Sequence, residues 1–255
     1  MMLPCHGAVR RLVALVVAVS SAGCASLPTA GPAPADDPLE PVNRVVFSAN
    51  VDLDRIVIAP AAEVYRAIVP APVRDGIRHA ADNFAEPRIF VNDLLQRRPE
   101  AAGITLARFF INATVGMAGV FDPATAQGYP RQSGDFGQTL STWGVMDGPY
   151  VVLPLFGPSN LRDAFGLAVD IYTTPPALVV RGPGARTFNI VFGVADGIDL
   201  RARNLDTLEE IKKGAIDLYA NIRSLARQRR QAELREASGH SQEPDELIDP
   251  GAPAR

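Results

Sequence analysis

The spacing of its prolines constrains this chain more than any other feature. Pro60, Pro70, Pro72, Pro87 and Pro99 fall between sequences of strong helical character. Proline suits the first turn of a helix, and it pushes the residue before it out of helical geometry. The spacing therefore predicts a series of short helices over roughly 40–57, 60–69, 72–83, 87–97 and 99–114. Further helices are expected over 159–172, with Ser159 as N-cap, and over 185–204 and 207–236.

Two of these helices are informative about their surroundings. The first carries Val42, Val45, Val46, Ala49, Leu53, Ile56 and Val57 on one stripe, with Asn43, Arg44, Asp52 and Asp54 off it, so it is amphipathic. The fifth points Ile104, Leu106, Phe109, Phe110 and Ile111 in several directions. A helix that is apolar nearly all round is buried in protein, in lipid, or between the two. The run FFINATVGMAGVF, residues 109–121, contains no charge. As helix it reaches only about 20 Å, against a hydrocarbon core of about 30 Å, so it cannot cross a bilayer alone. Gly116 and Gly119 favour a bend there. The segment is either a re-entrant or interfacial element, or a core helix followed by a turn. In GPYVVLPLFGPSNLRD, residues 148–163, Pro154 argues against a central strand. What remains is an extended or bent apolar segment lying against lipid or against the fold's own core.

The N-terminus reads as a secretory signal. Arg10 and Arg11 precede the apolar run Leu12 to Val19 and then small residues leading to Cys24. Ser21, Ala22, Gly23 and Cys24 resemble a bacterial lipobox, in which the cysteine is diacylated and becomes the first residue of the mature chain. Removing residues 1–23 leaves 232 of the 255 residues, with 23 basic and 28 acidic side chains. Cys24 is then the only cysteine, so no intrachain disulfide can form. The acidic balance argues against a nucleic-acid partner. Residues 24–38 are rich in Pro, Ala and Gly and read as a lipidated tether, followed by a helical domain over 39–236. Residues 237–255 are an acidic tail with too little apolar content to fold. The arginines at the end of the last helix, Arg223, Arg227, Arg229, Arg230 and Arg235, complement the helix dipole and read as a solvated face.

Catalytic chemistry has little support. His6 leaves with the signal and His240 sits in the tail, so His79 is the remaining histidine, and it reads as a surface or interhelical residue. The sequence contains no G-x-S-x-G elbow, H-E-x-x-H, Walker loop or Cys/His cluster. Neither an enzyme nor a cofactor or metal site is expected.

Five segments, however, resemble one family closely. They are DPLEPVNRVVFSAN (37–50), NFAEPRIFVNDLLQ (83–96), ARFFINATVGMAGVFD (107–122), DFGQTLSTWGVMDGPYVVLPLFGPSNLRD (135–163) and DLRARNLD (199–206). Together they resemble the VacJ family, also called MlaA, of Gram-negative outer-membrane lipoproteins. Pro41 and Val42 stand where members commonly have Gly and Phe. The resemblance implies an all-α, ring-shaped arrangement of short amphipathic helices embedded in the outer membrane around an amphipathic channel. It implies association with porin trimers and removal of phospholipids that have strayed into the outer leaflet. The lipids would pass to a soluble periplasmic carrier and then to an inner-membrane ABC transporter complex. Cys24 is the expected lipidation site. The candidates for channel lining or lipid contact are Asn43, Arg44, Asn92, Asp93, Asn112, Tyr150, Leu153, Leu155 and Phe156. For the polar residues among them, interhelical hydrogen bonding is the competing role. A structural porin-associated lipoprotein and a lipolytic enzyme are the other functional classes open to this sequence.

Overall fold

A computed structural model describes residues 37–173 and 183–238. The expected signal, Cys24, the tether before Asp37 and the tail beyond Ser238 lie outside these residues. Helix α1 (Glu40–Leu53) passes through one π-helical turn, Asp54–Ile58, directly into α2 (Ala59–Ile68). The expected break before Pro60 is absent, because the proline falls in the first turn of α2 and the wider π turn carries the helical path into it.

Helix α3 (Ala71–Leu95) runs straight through Pro87, where two helices were expected. Buried polar anchors at Asn83, Glu86, Asn92 and Asp93 flank the proline, and α3 packs along α4 (Pro99–Thr114). This packing outweighs the hydrogen bond that proline removes. After α4 the chain turns sharply, with Met117, Ala118 and Gly119 all at positive φ. A Cβ on Gly119 would come within 2.6 Å of Asn83, so only glycine fits this corner. Two short helices follow, α5 (Pro123–Ala126) and α6 (Phe136–Thr142), capped by the side chains of Asp122 and Asp135.

The GPYVVLPLFGPSNLRD stretch forms an antiparallel hairpin. Strand β1 (Tyr150–Leu153) pairs with β2 (Gly157–Asn160), Tyr150 opposite Asn160 and Leu153 opposite Gly157. Pro154 therefore sits just past the strand, at a tip where Leu155 and Gly157 take left-handed φ values of 69° and 79°. Helix α1 anchors this hairpin through two asparagines. Asn43 donates to the Tyr150 carbonyl at 3.0 Å and accepts from the Val152 N–H at 2.9 Å. Asn50 does the same for Leu153 and Leu155, at 2.9 Å each.

Helix α7 (Leu161–Thr173) is capped by Asn160, which accepts from the Asp163 N–H at 2.8 Å. Ser159, the expected cap, is instead paired opposite Val151 in β2. Helix α8 (Pro183–Arg203) follows. The single helix expected over 207–236 is two, α9 (Leu205–Gly214) and α10 (Leu218–Ala237), because Ala215 turns extended and Asp217 caps a new start.

The neighbour relations close on themselves. Helix α2 packs on α8, α8 on α3, α3 on α6, α6 on α7, α7 on the hairpin, and the hairpin on α1, which leads back to α2. This is the contact topology of a ring. At the α6/α7 joint the backbones touch, since a Cβ on Gly166 would lie 2.4 Å from the Gly137 nitrogen.

The distribution of polarity is the reverse of a water-soluble domain. The largest fully buried side chains are polar, among them Arg108, Gln138, Glu86, Asp93 and Asp199. Apolar side chains stand exposed on helix after helix, including Val42 and Val45 on α1, Val91 on α3, Phe110 on α4, Phe165 on α7 and Val191 on α8. On the expected apolar stripe of α1, Val46 packs inward against the Tyr150, Val152 and Tyr219 cluster, whereas Val42 and Val45 face out. Among the described residues no helix is long and apolar enough to cross a membrane.

Arg108 is the centre of the polar interior. Its guanidinium donates to Glu86 at 2.9 Å, Thr125 Oγ1 at 2.9 Å, the Tyr129 carbonyl at 2.6 Å and Asp122 at 3.1 Å. One side chain thus joins α4 to α3, to α5 and to the loop that follows α5. Asn112, one turn further on, donates to Asp122 at 3.0 Å and accepts from the Ala124 N–H at 3.1 Å.

Two predictions follow from these anchors. Arg108→Met leaves the Glu86 carboxylate buried without its cation, and is expected to cost about 3–5 kcal/mol of unfolding free energy in detergent. Adding Glu86→Gln to that variant should recover part of the loss, and a double-mutant cycle measures the coupling. Asn43→Ala strands a buried N–H and a buried C=O of β1, and should lower stability by about 2–4 kcal/mol at roughly 1–2 kcal/mol per orphaned group, read as a lower melting temperature.

Candidate functional site

Of the polar residues singled out from the sequence, Asn43, Asn92, Asp93 and Asn112 are buried and Arg44 is partly exposed, and all five are bonded within the protein. Asn92 donates to Asp170 on α7 at 3.3 Å and accepts from Thr139 Oγ1 on α6 at 2.9 Å, so it ties three helices together. Asp93, fully buried, accepts from Thr105 Oγ1 at 2.9 Å and pairs with Arg98 at 3.4 Å. Asn43 holds the hairpin, and Asn112 holds the Asp122 corner. Arg44 pairs with Glu40 and with Asp217, both at 2.7 Å, and its guanidinium lies 4.4 Å from the centre of the Tyr219 ring. Beside it Asp37 is fully buried and accepts from Asn43, from Arg223 at 3.0 Å and, through a very short bond, from the Tyr219 hydroxyl. The start of the domain is thereby fastened to α10.

A cavity of about 750 Å³ opens between the hairpin, α7, α9 and α10. One part of its wall is apolar, formed by Leu167, Ile211, Ile222, Leu225 and Leu234. The rest is charged and largely self-compensating. Arg230 reaches across from α10 to pair with Asp135 at 2.7 Å and Asp163 at 2.8 Å. Arg88 pairs with Asp170 at 2.9 Å. Burial works against ionisation of Asp163, but hydrogen bonds from Arg230 and Arg162 outweigh it and hold that carboxyl below its ordinary range. Tyr150 also lines the cavity, almost wholly buried, with the Arg227 guanidinium 5.4 Å from its ring centre. Burial first, and then the charge of Asp37, push its hydroxyl up to about 12, so it remains a proton donor at neutral pH. Leu153 is half-buried in β1, and Leu155 and Phe156 stand exposed at the hairpin tip.

The sequence candidates thus fall into three groups. Tyr150 lines the cavity; Leu153, Leu155 and Phe156 form the apolar end of the hairpin; Asn43, Arg44, Asn92, Asp93 and Asn112 hold the frame. Sequence reasoning missed Glu86, Arg108, Asp163 and Arg230. Arg108 did carry a signal, because it stands alone at the edge of the uncharged run 109–121, and a cation in such a setting needs an internal partner. Arg230 was hidden among other arginines; of the neighbouring pair, Arg229 is solvent-exposed as expected, whereas Arg230 is mostly buried. His79 is half-buried, its Nδ1 3.4 Å from the Val120 carbonyl. Among the described residues no group of three His, Cys, Asp or Glu side chains is placed to hold a metal ion.

The cavity thus brings apolar and charged side chains to one opening. Comparison with known proteins agrees with the arrangement of helices. The chain matches the model of the MlaA lipoprotein family over residues 35–233. It is 36% identical over 218 residues to the intermembrane phospholipid transport system lipoprotein MlaA of Haemophilus influenzae, covering 83% of this chain and 85% of that one. It is 34% identical over 197 residues to the protein of the same name from Escherichia coli K12, covering 76% of each. A solved chain reported under "Structural basis for maintenance of bacterial outer membrane lipid asymmetry" superposes with a TM-score of 0.66 at 33% identity, covering 78% of this chain and 98% of that one. From its first buried anchor at Asp37 to the end of its last long helix, this chain belongs to the MlaA lipoprotein family.

Proposed function

We propose that this protein is an outer-membrane lipoprotein that removes phospholipids mislocalised to the outer leaflet and passes them to a periplasmic lipid carrier for return to the inner membrane. In doing so it maintains the lipid asymmetry of the outer membrane. The observation that carries this reading is the inverted polarity: apolar side chains face outward on α1, α3, α4, α7 and α8 while charged residues fill the interior. A phospholipid leaving its leaflet needs a polar path for its headgroup and an apolar setting for its tails. The cavity provides both walls within one opening, Arg230 and Arg88 on one side and Leu167, Ile222 and Leu225 on the other. The names of the similar proteins from Haemophilus influenzae and Escherichia coli point the same way.

In this reading residues 1–23 are removed, Cys24 carries the acyl chains and the residues between it and Asp37 connect them to the fold, with the residues beyond Ser238 as an acidic tail. Two or more chains on Cys24 suffice for stable anchoring, at about 0.8 kcal/mol per buried methylene. The ring lies in the outer membrane beside porin trimers, and its short apolar elements sit in lipid because their backbone groups are satisfied within the protein. No covalent chemistry is involved. Net direction comes from the soluble carrier and, beyond it, the inner-membrane ABC transporter complex.

The test is quantification of outer-leaflet phospholipid in a strain lacking the gene, complemented with the full-length protein or with Cys24→Ala. The full-length protein should return outer-leaflet phospholipid and resistance to detergent with EDTA to the parental level, and Cys24→Ala should not. Unchanged phospholipid on deletion, with porin co-purification intact, would leave only a structural role. Release of fatty acid from labelled phospholipid by the purified protein would indicate a lipolytic enzyme.

A further inference from the structure

Helix α10 roofs the cavity without packing into it. No element lines the opening at more positions, and the apolar residues it contributes, Ile222, Leu225, Ala226 and Leu234, face the cavity. Tyr219 and Ala237, one near each end, are the buried residues of α10, and none of residues 220–236 between them is buried. A helix of 20 residues extends about 30 Å, so burial of its own apolar face does little to hold most of that length in place.

The polar ties of α10 differ along its length. Near its start, the Tyr219 hydroxyl and Arg223 both donate to Asp37, which is wholly buried and also takes a bond from Asn43. The Tyr219 ring packs edge-on against Phe47 at 5.5 Å. Just before this point Gly214 has open space around it, Ala215 is extended and Ile216 is fully exposed, so the link from α9 leaves α10 room to turn. Further along, the tie is made by Arg230, which donates to Asp163 at 2.8 and 2.9 Å and to Asp135 at 2.7 and 2.9 Å. Unlike Asp37, these three side chains keep contact with water, at 19, 14 and 32% exposure for Arg230, Asp163 and Asp135. Breaking the tie orphans none of them. Asp135 also caps α6 by accepting from the Gln138 N–H, Asp163 also accepts from Asn160 and Arg162, and Arg230 keeps Glu233 at 3.1 Å. Gly137 makes room for the guanidinium, since a Cβ there would come within 2.5 Å of Asp163 and 2.8 Å of Arg230. Ala237, the buried residue beyond, offers only a methyl group to hold.

We propose that α10 is a hinged lid on the cavity: it pivots where Tyr219 is held on Asp37, is latched by Arg230 on Asp135 and Asp163, and on release of the latch opens the apolar wall at Leu167 to the hydrocarbon part of an amphiphile. Closure brings Ile222 and Leu225 back over the bound chain. Arg230 is thus a positioning residue for access to the cavity. Water and salt compete with the partly exposed latch and not with the buried pivot. The movement does not depend on what the cavity carries; that the guest is a phospholipid rests on the transport reading above.

The test uses the full-length lipidated protein in detergent, with pairs of spin labels on introduced cysteines at exposed positions. One pair joins Ala232, past the latch, to Glu100 on α4; a control pair joins Asn221, beside the pivot, to Glu100. The end of α10 lies close to the start of α4, since Ala237 and Arg98 line one small pocket, so opening lengthens the first distance. At low salt the wild-type protein should give one distance for each pair. Arg230→Gln, Gly137→Ala and high salt on the wild-type protein should each add a longer distance to the Ala232 pair and leave the Asn221 pair unchanged. Release of bound fluorescent phosphatidylglycerol should quicken by about tenfold in Arg230→Gln, the ratio that 1.4 kcal/mol represents. The salt arm needs no substitution at the latch, so it decides the matter if a variant is unstable. An Ala232 distance that stays single and unchanged in high salt and in both variants would overturn the proposal. So would lengthening of both pairs together, because α10 would then detach as a whole, and so would lengthening without faster release, because the lid would not control access. If the lid opens and release quickens but the protein does not clear phospholipid from the outer leaflet, the transport reading fails and the lid stands.

Discussion

The buried guanidinium of Arg108 is the interaction on which the rest of this structure depends. A protein with apolar side chains on the outside of its helices cannot use their burial to hold itself together. Cohesion must come from polar groups bonded to one another inside, where leaving any of them unpaired costs several kcal/mol. Arg108 satisfies that requirement four times over, through Glu86, Asp122, Thr125 and the Tyr129 carbonyl. Asn92, Asp93 and Asn43 repeat the device at the other joints. These bonds are specific in direction as well as strong, so they fix how each short helix meets the next, which nonspecific apolar packing would do poorly in a lipid setting.

Such a frame explains why the polar interior and the candidate site belong to one design. Asp163 and Asp170, which line the cavity, are also the residues that bind α7 to α10 and α3. The hairpin that presents Tyr150 is positioned by Asn43, and Asn43 is oriented by Asp37, which holds α10 through Tyr219 and Arg223. The charged lining of the cavity is thus tied into the frame by ion pairs. Its apolar lining comes from α7, α9 and α10, so both kinds of surface meet in one opening.

Much of this was legible in the sequence. Helix covers the proline-punctuated region, with starts beside Pro72 and Pro99 where the prolines place them, and the amphipathic period of α1 is real, although period alone cannot say that Val42 and Val45 face outward. The uncharged run after Arg108 announced an unusual environment. Three of the local errors share one cause, that tertiary contacts override local rules. Pro87 is absorbed by the α3/α4 packing, Ser159 yields the cap to Asn160 once the hairpin sets the register, and the long C-terminal helix breaks where Asp217 can cap a new start and pair with Arg44. The site itself was harder to read. Arg230 is indistinguishable in sequence from Arg229 one residue earlier, and only the approach of Asp135 and Asp163, 95 and 67 residues away, makes it internal.

The central claim is that apolar faces point to lipid while a polar, water-accessible opening lies within the ring. Spin labels at single introduced cysteines, in the Cys24-lipidated protein reconstituted into bilayers, test it directly. Labels at Phe110 and Phe165 should show high accessibility to oxygen and low accessibility to a water-soluble nickel chelate. Labels at Ser159 and Leu167, on the cavity wall, should show the reverse. Equal, chelate-dominated accessibility at all four positions would place the outer faces in water and contradict the account.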